Sequence, residues 1–168
     1  MTVLRVMSDN QCQFGDEVLP CAIGRGGFSA DKREGDGATP VGVWPMRRVL
    51  YRPDRVSEPK TQMPTAPILA SDGWCDDPTH AAYNTAVTLP FAANHEVMWR
   101  DDGLYDIVVV LGHNDDPPVP GRGSAIFLHC AKPNFSPTEG CVALAPGDVL
   151  RVLAACGPVS AVSVEPPS

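Results

Sequence analysis

The sequence predicts a mainly β protein of packed mixed sheets with one clear helix near its carboxyl end. Three observations carry this expectation. Eighteen prolines and fifteen glycines cut the 168-residue chain into short segments, which favours turns and strands over long helices. Two runs, Tyr105 to Leu111 and Ala125 to His129, are apolar almost throughout, as strands buried on both faces are. One segment, Pro146 to Cys156, spaces Val149, Leu150, Val152 and Leu153 along a helical stripe. Pro146 in its first turn and Gly157-Pro158 beyond its end are helix start and stop signals.

The other elements follow in chain order. Val3 to Met7 reads as a short apolar strand, and Glu17 to Gly24 as a second that ends in the flexible turn Gly24-Arg25-Gly26-Gly27. Glu34 to Trp44 is turn chemistry leading into a strand over Val43 to Tyr51. Pro53 to Asp77 is polar and proline-rich, which predicts a long excursion with its own packing around Trp74. Thr85 to Leu89 is a further short strand. Tyr105 to Leu111 is the central strand. Asn114 to Gly123, with three prolines and two glycines, is a loop. After the second buried strand, Pro133 to Glu139 is a loop that delivers Cys141, and Val159 to Val164 closes the chain as a last strand. No repeat or low-complexity block interrupts this order, and the length suits a single domain over residues 1–168.

Composition narrows the function classes. Hydrophobic residues make up 43% and charged residues 20%, the balance of a folded soluble protein. A net charge of −7 argues against a general nucleic-acid binder, because phosphate contact needs a basic surface. No apolar run reaches the length of a membrane span. Met1 to Phe14 carries Arg5 but no continuous apolar segment and no small-residue cleavage site, so no secretory signal is visible there. None of the six cysteines forms a CxxC pair, which gives little support to a structural zinc site. Cys12 and Cys21 fall where one hairpin can hold both, either as a disulfide in an oxidising compartment or as two buried thiols.

The residues that point to chemistry lie in Thr138-Glu139-Gly140-Cys141, with His129 upstream at the end of an apolar strand. A thiolate attacks carbonyls far better than a thiol, and a nearby imidazole can generate it near neutral pH. Gly140 lets the backbone turn sharply before Cys141, so that amides there can face a developing oxyanion. Taken singly, Cys141 reads as a buried core thiol and His129 as a satisfied core histidine. Together, on a strand end and the loop that returns to it, they read as nucleophile and base. Cys130 follows His129 directly, so on a strand it faces the opposite side. His113 ends the central strand, where it is either a polar strand-end residue or a cleft residue that orients substrate or competes as base. Arg25, Lys32, Arg33, Arg122 and Lys132 lie in glycine- or proline-rich loops, either solvated or available to a substrate carboxylate.

These residues resemble the L,D-transpeptidase catalytic domain, the YkuD family. That family carries a histidine on a strand, a loop, and then Ser/Thr-x-Gly-Cys with an apolar residue following, matched by His129, Thr138, Gly140, Cys141 and Val142. An upstream Thr-Pro-x-Gly turn is matched by Thr39-Pro40-Val41-Gly42, after Lys32. The similarity runs from about Gly24 to Leu153. It implies a YkuD-like β-sandwich, Cys141 as nucleophile, His129 as general base and acid, and an oxyanion hole that includes the Gly140 backbone. It implies no metal or other cofactor. Donor and acceptor peptidoglycan stem peptides are the implied partners, with His113, Asn114, Arg122, Thr138 and Glu139 touching substrate. It also implies periplasmic work, although no leader is visible and a cytoplasmic location stays open.

Several positions depart from the family pattern. Glu139 stands where a histidine is common, Ala143 where arginine or asparagine is usual, and Cys130 where glycine or serine follows the histidine. The loop from His129 to Cys141 is short. The proline-rich stretch Asp115 to Gly121 is expected to narrow the cleft. This combination resembles a branch in alpha- and betaproteobacteria that links L-alanine at position 1 of one stem to diaminopimelate of another, in place of the usual bond between two diaminopimelates. The same scaffold also suits a carboxypeptidase or endopeptidase in which water replaces the amine. A wall-binding module without turnover, and a zinc hydrolase using His113, His129 and Cys141, are the readings from other classes.

Overall fold

Prolines mark where two long strands change partners. In the computed structural model, which describes residues 1–166, β1 (Thr2–Val6), β2 (Gln11–Phe14) and β3 (Glu17–Ala22) form an antiparallel meander. The last residue of β3 paired to β2 is Pro20, and from Cys21 the strand pairs with β13 (Val142–Leu144). The ten-residue β6 (Gly42–Tyr51) behaves likewise. Gly42 to Pro45 pair with β14 (Ala161–Val164), and Met46 to Tyr51 pair with β11 (Ile107–Leu111). Proline has no N–H to give a ladder, so each ladder ends there and the strand is free to take a new neighbour. A register slip at Arg47, skipped between Val110 and Leu111, adds to the bend in β6.

The result is a mainly β fold of nine strands in the order β11-β12-β13-β3-β2-β1-β14-β6-β7, closed on itself by the β6–β11 pairing. Here β12 is Phe127–Cys130 and β7 is Thr65–Pro67. Two mixed sheets thus share β3 and β6 and enclose a core of Leu4, Val6, Met46, Val49, Ile107, Val109, Leu128, Val142 and Leu144. Helix α1 (Pro146–Ala154) seals the core with Val149, Val152 and Leu153, whereas Leu150 is 40% exposed on its outer side. Each such side chain contributes roughly 1.5–3 kcal/mol by leaving water. Cys12, Cys21 and Cys130 are free thiols facing this core.

The opposite face of β11 and β12 is covered by the long excursion, which does not end at Asp77 as the composition suggests but runs on through Val97. A three-stranded sheet of β8 (Asp72–Cys75), β9 (Ala86–Thr88) and β10 (His95–Val97) lays Trp74 edge-on against Phe127, at 5.0 Å between ring centres. Ile68, Met98, Tyr105, Val108, Val110 and Cys141 complete this second cluster. Burial on both faces is what the unbroken apolar runs of β11 and β12 require. A short parallel pair, β4 (Phe28–Ser29) and β5 (Thr39–Pro40), lies beside the loop before Cys141. Among the described residues no helix is long and apolar enough to cross a membrane.

Candidate active site

Parallel pairing of β12 with β13 brings the histidine and cysteine segments together. The ladder runs Leu128↔Val142, His129↔Ala143 and Cys130↔Leu144, so Cys141 sits just ahead of the first pair. Leu128 and Cys130 point into the main core, and His129 points the other way. Phe127 also lies ahead of the first pair, and its N–H donates to Cys141 Sγ at 3.4 Å. The thiol in turn donates to the carbonyl of Ala125 at 3.2 Å. Ala125 is held at φ 55°, an uncommon conformation for a residue with a side chain, by donating its N–H to Asn84 Oδ1 at 3.0 Å.

The turn before the cysteine is tied on both sides. Thr138 exchanges backbone bonds with Ile23 and Arg25, and its hydroxyl donates to the Cys141 carbonyl at 2.6 Å while accepting from Gly140 N–H at 3.1 Å. Gly140 has φ 136°, and a Cβ there would stand 2.8 Å from the Ala38 carbonyl. Only glycine fits. The Gly140 carbonyl accepts from Thr39 Oγ1 at 2.8 Å, and the same hydroxyl accepts from Gly24 N–H at 2.8 Å. The Thr39-Pro40 turn is therefore a buried clamp on the cysteine loop. With Thr138 N–H bonded to Ile23 and Gly140 N–H to Thr138, the amides of Glu139 and Cys141 are those in this turn without an acceptor among the described residues, and Cys141 N–H is the one on the nucleophile itself.

His129 Nδ1 lies 2.9 Å from the carbonyl oxygen of Cys130. A carbonyl only accepts, so Nδ1 carries the proton and Nε2 is left free as a base. The Tyr105 ring stands edge-on to the imidazole at 5.4 Å. Burial pulls the His129 pKa down to about 4, and it pushes the Cys141 thiol up to about 12, with the Glu96 charge adding to the latter. The resting pair is neutral imidazole and neutral thiol, and no hydrogen bond joins Cys141 Sγ to the ring among the described residues.

Both side chains open on one pocket of about 510 Å3. Glu34, Asp76 and Glu96 line it with Arg100, Lys132, Tyr105, Thr138, Glu139 and Ala143. Glu34 accepts from Tyr83 and Ser124 hydroxyls, and Glu96 from the Tyr105 hydroxyl at 2.7 Å. Burial holds Glu96 above the usual carboxylate range. Arg100 pairs with Asp102 and lies over the Tyr105 ring.

Of the residues expected to touch substrate, Thr138 and Glu139 line this pocket, with Glu139 also paired to Arg25 at the surface. His113, Asn114 and Arg122 do not. His113 is buried edge-on against Trp44, with Nδ1 unpartnered. Asn114 uses its amide to hold Val119 and Gly123 within its own loop. Arg122 pairs with Asp31 on the surface. The proline-rich stretch is absent from the walls as well; after it, the first residues to line the pocket are Ser124 and Ala125. Asp115 instead pairs with Arg47 beside a second cavity. His113, His129 and Cys141 do not share a site, and among the described residues no three His, Cys, Asp or Glu side chains are grouped to hold a metal.

Sequence reasoning missed Glu96, Arg100, Tyr105 and Asn84. Glu96 sits on the three-residue strand β10 and Arg100 in the loop after it, neither with a motif. Tyr105 read as the start of a core strand. Asn84 gave no signal, yet it joins Trp74, Ala125 and the carbonyls of His113 and Asn114.

The class is thus a closed β-sandwich that opens a cysteine and a histidine, from adjoining parallel strands, onto one charged pocket. Compared with known families, the chain matches the model of the L,D-transpeptidase catalytic domain, YkuD, over residues 2–164. It belongs to that family, whose members act on peptidoglycan. A comparison with curated proteins found no match.

Proposed function

We propose that the protein is a peptidoglycan L,D-transpeptidase working through a Cys141 thioester. The observation that carries this reading is the shared pocket: Cys141 and His129 open on one cavity whose walls carry charges of both signs. A stem peptide brings carboxylates and an ammonium group, so Arg100 and Lys132 suit the former and Glu34, Asp76 and Glu96 the latter.

Rotation about its Cβ–Sγ bond turns the thiol hydrogen from the Ala125 carbonyl toward His129 Nε2, which takes the proton. The thiolate, still facing the Phe127 N–H, attacks a stem-peptide carbonyl on the carboxyl side of an L-centre. The Cys141 N–H holds the oxyanion, worth about 3 kcal/mol for such a donor. As the intermediate collapses, the C–N bond breaks and protonated His129 gives its proton to the leaving amine. The side-chain amine of diaminopimelate on a second stem then attacks the thioester. His129 accepts that proton and returns it to the departing sulfur. The Nδ1 bond to the Cys130 carbonyl keeps the ring oriented through both halves.

The reading places the protein at work in the periplasm. Its test is mass spectrometry of muropeptides incubated with the protein and with Cys141→Ala. Crosslinked dimers that vanish in the variant are expected, and their fragmentation reports whether L-alanine or diaminopimelate supplied the carbonyl. Shortened monomers would assign hydrolysis instead. Products unaffected by the substitution would refute the cysteine mechanism.

A further inference from the structure

Two glycines clear a channel for one buried cation. Lys32 is 7% exposed. Its stem passes Gly123, where a Cβ would meet Lys32 Cγ at 3.0 Å and Cε at 3.1 Å. Its ammonium ends 3.5 Å from the point where a Cβ on Gly140 would stand, one residue before Cys141. Lys32 does not line the pocket, so it is not placed to receive a substrate carboxylate. Its ion-pair partner is Asp36, whose carboxylate also accepts the N–H groups of Ala38 and Arg33.

A buried ion pair is weak evidence for stability, because both ions give up hydration that their attraction barely restores. A methionine would fill the same channel without that cost. What the lysine adds is a positive charge behind the peptide that carries the nucleophile. We propose that Lys32 is a positioning residue that favours the Cys141 thiolate through its charge, from outside the substrate pocket. This rests on the reading of Cys141 as nucleophile.

The groups facing Cys141 fall into two sets. Glu96 on β10 and the Tyr105–Glu96 pair oppose a thiolate; Arg100, Lys32 and the Phe127 N–H support it, with neutral His129 beside them. Lys32 pulls the thiol down against burial, and Asp36, paired to it, offsets part of that pull. Each cation has a carboxylate partner, Arg100 in Asp102 and Lys32 in Asp36, but Arg100 is 36% exposed and Lys32 only 7%, so the lysine's charge is the one less screened by solvent.

The experiment is alkylation of the full chain by iodoacetamide across a pH series, read by mass spectrometry on the peptide containing Cys141. With Lys32→Met the rate at about pH 9 is expected to fall about tenfold, one pH unit of displacement toward higher pH. Lys32→Arg, which keeps the charge, is expected to recover most of the rate. Asp36→Asn, which keeps the lysine and removes its counter-charge, is expected to move the profile toward lower pH. A merely structural role moves none of these in opposite directions. A folded Lys32→Met protein with the wild-type profile would overturn the proposal. Should Lys32→Met not fold, the Asp36→Asn profile decides: a move to lower pH supports the role, and no move or the reverse overturns it. A wild-type Cys141 that resists alkylation at every pH sinks the nucleophile reading together with this one, whereas a reactive sulfur indifferent to both substitutions sinks this one alone.

Discussion

At Gly140 a single hydrogen in place of a side chain decides whether the cysteine turn can close. The residue combines φ 136° with a carbonyl 2.8 Å from its missing Cβ. Gly140→Ala is expected to cost about 3 kcal/mol through strain and overpacking, measured by urea unfolding, and to remove crosslinking along with it. Thr39 is the second control point. Its fully buried hydroxyl satisfies Gly24 N–H and the Gly140 carbonyl at once. Thr39→Val keeps the volume and strands both groups, which costs about 2–3 kcal/mol. The loosened turn should lower kcat more than it raises KM, since Thr39 is not among the residues lining the pocket. Equal losses in both would show that the clamp serves folding alone.

The elements meet at Asn84. Its side chain links the excursion, through Trp74 Nε1, to the loop after β11 and to Ala125, whose carbonyl faces the sulfur. Asn84→Ala leaves several buried groups unpaired and is expected to destabilise by about 2–4 kcal/mol. Trp74 would also gain water around its indole, so tryptophan emission should shift to the red before global unfolding. An unchanged spectrum would mean that the aromatic pair with Phe127 holds the excursion without this polar link. Strands β2, β7, β10 and β13 escaped the sequence reading for a related reason. They have three or four residues each, too few for a period to declare itself. β13 exists because β12 and β3 offer it edges on both sides.

For the molecule as a whole, two buried histidines set the acid limit. His113 and His129 are each pulled down to about 4 from the usual histidine value by burial. In the unfolded chain both protonate near pH 6.5, so between that pH and about 4 the unfolded state binds more protons. Stability supplied by the neutral rings is whole above about pH 6.5 and drains as pH falls toward 4, on the order of 3 kcal/mol per histidine. Glu96, raised by burial, acts in the opposite sense over the upper part of the carboxylate range. Thermal unfolding followed from pH 7.5 to 4.5 should show the midpoint dropping most steeply below pH 6.5, and His113→Gln should flatten that drop. A midpoint indifferent to pH over this window would contradict the burial of both rings.

The sequence alone determined the mainly β class, the two strands buried on both faces, the single amphipathic helix and membership of the family. These rest on local signals: apolar runs, period, proline and glycine punctuation, and a motif of contiguous residues. Tertiary structure decided what the motif's surroundings do. Thr39 reaches Gly140 across a hundred positions of chain, and Lys32 reaches the same glycine by passing another. His113 at a strand end, Asn114 beside it and Arg122 in a glycine-rich loop are candidates for substrate contact in the sequence, but Asn114 bonds within its loop, Arg122 pairs with Asp31, and none of the three lines the pocket. Glu96, Arg100 and Tyr105 take its walls instead. Such contacts join residues far apart in the chain, through hydroxyls and charges whose burial no neighbouring residue specifies, and only the packed sheets set that burial.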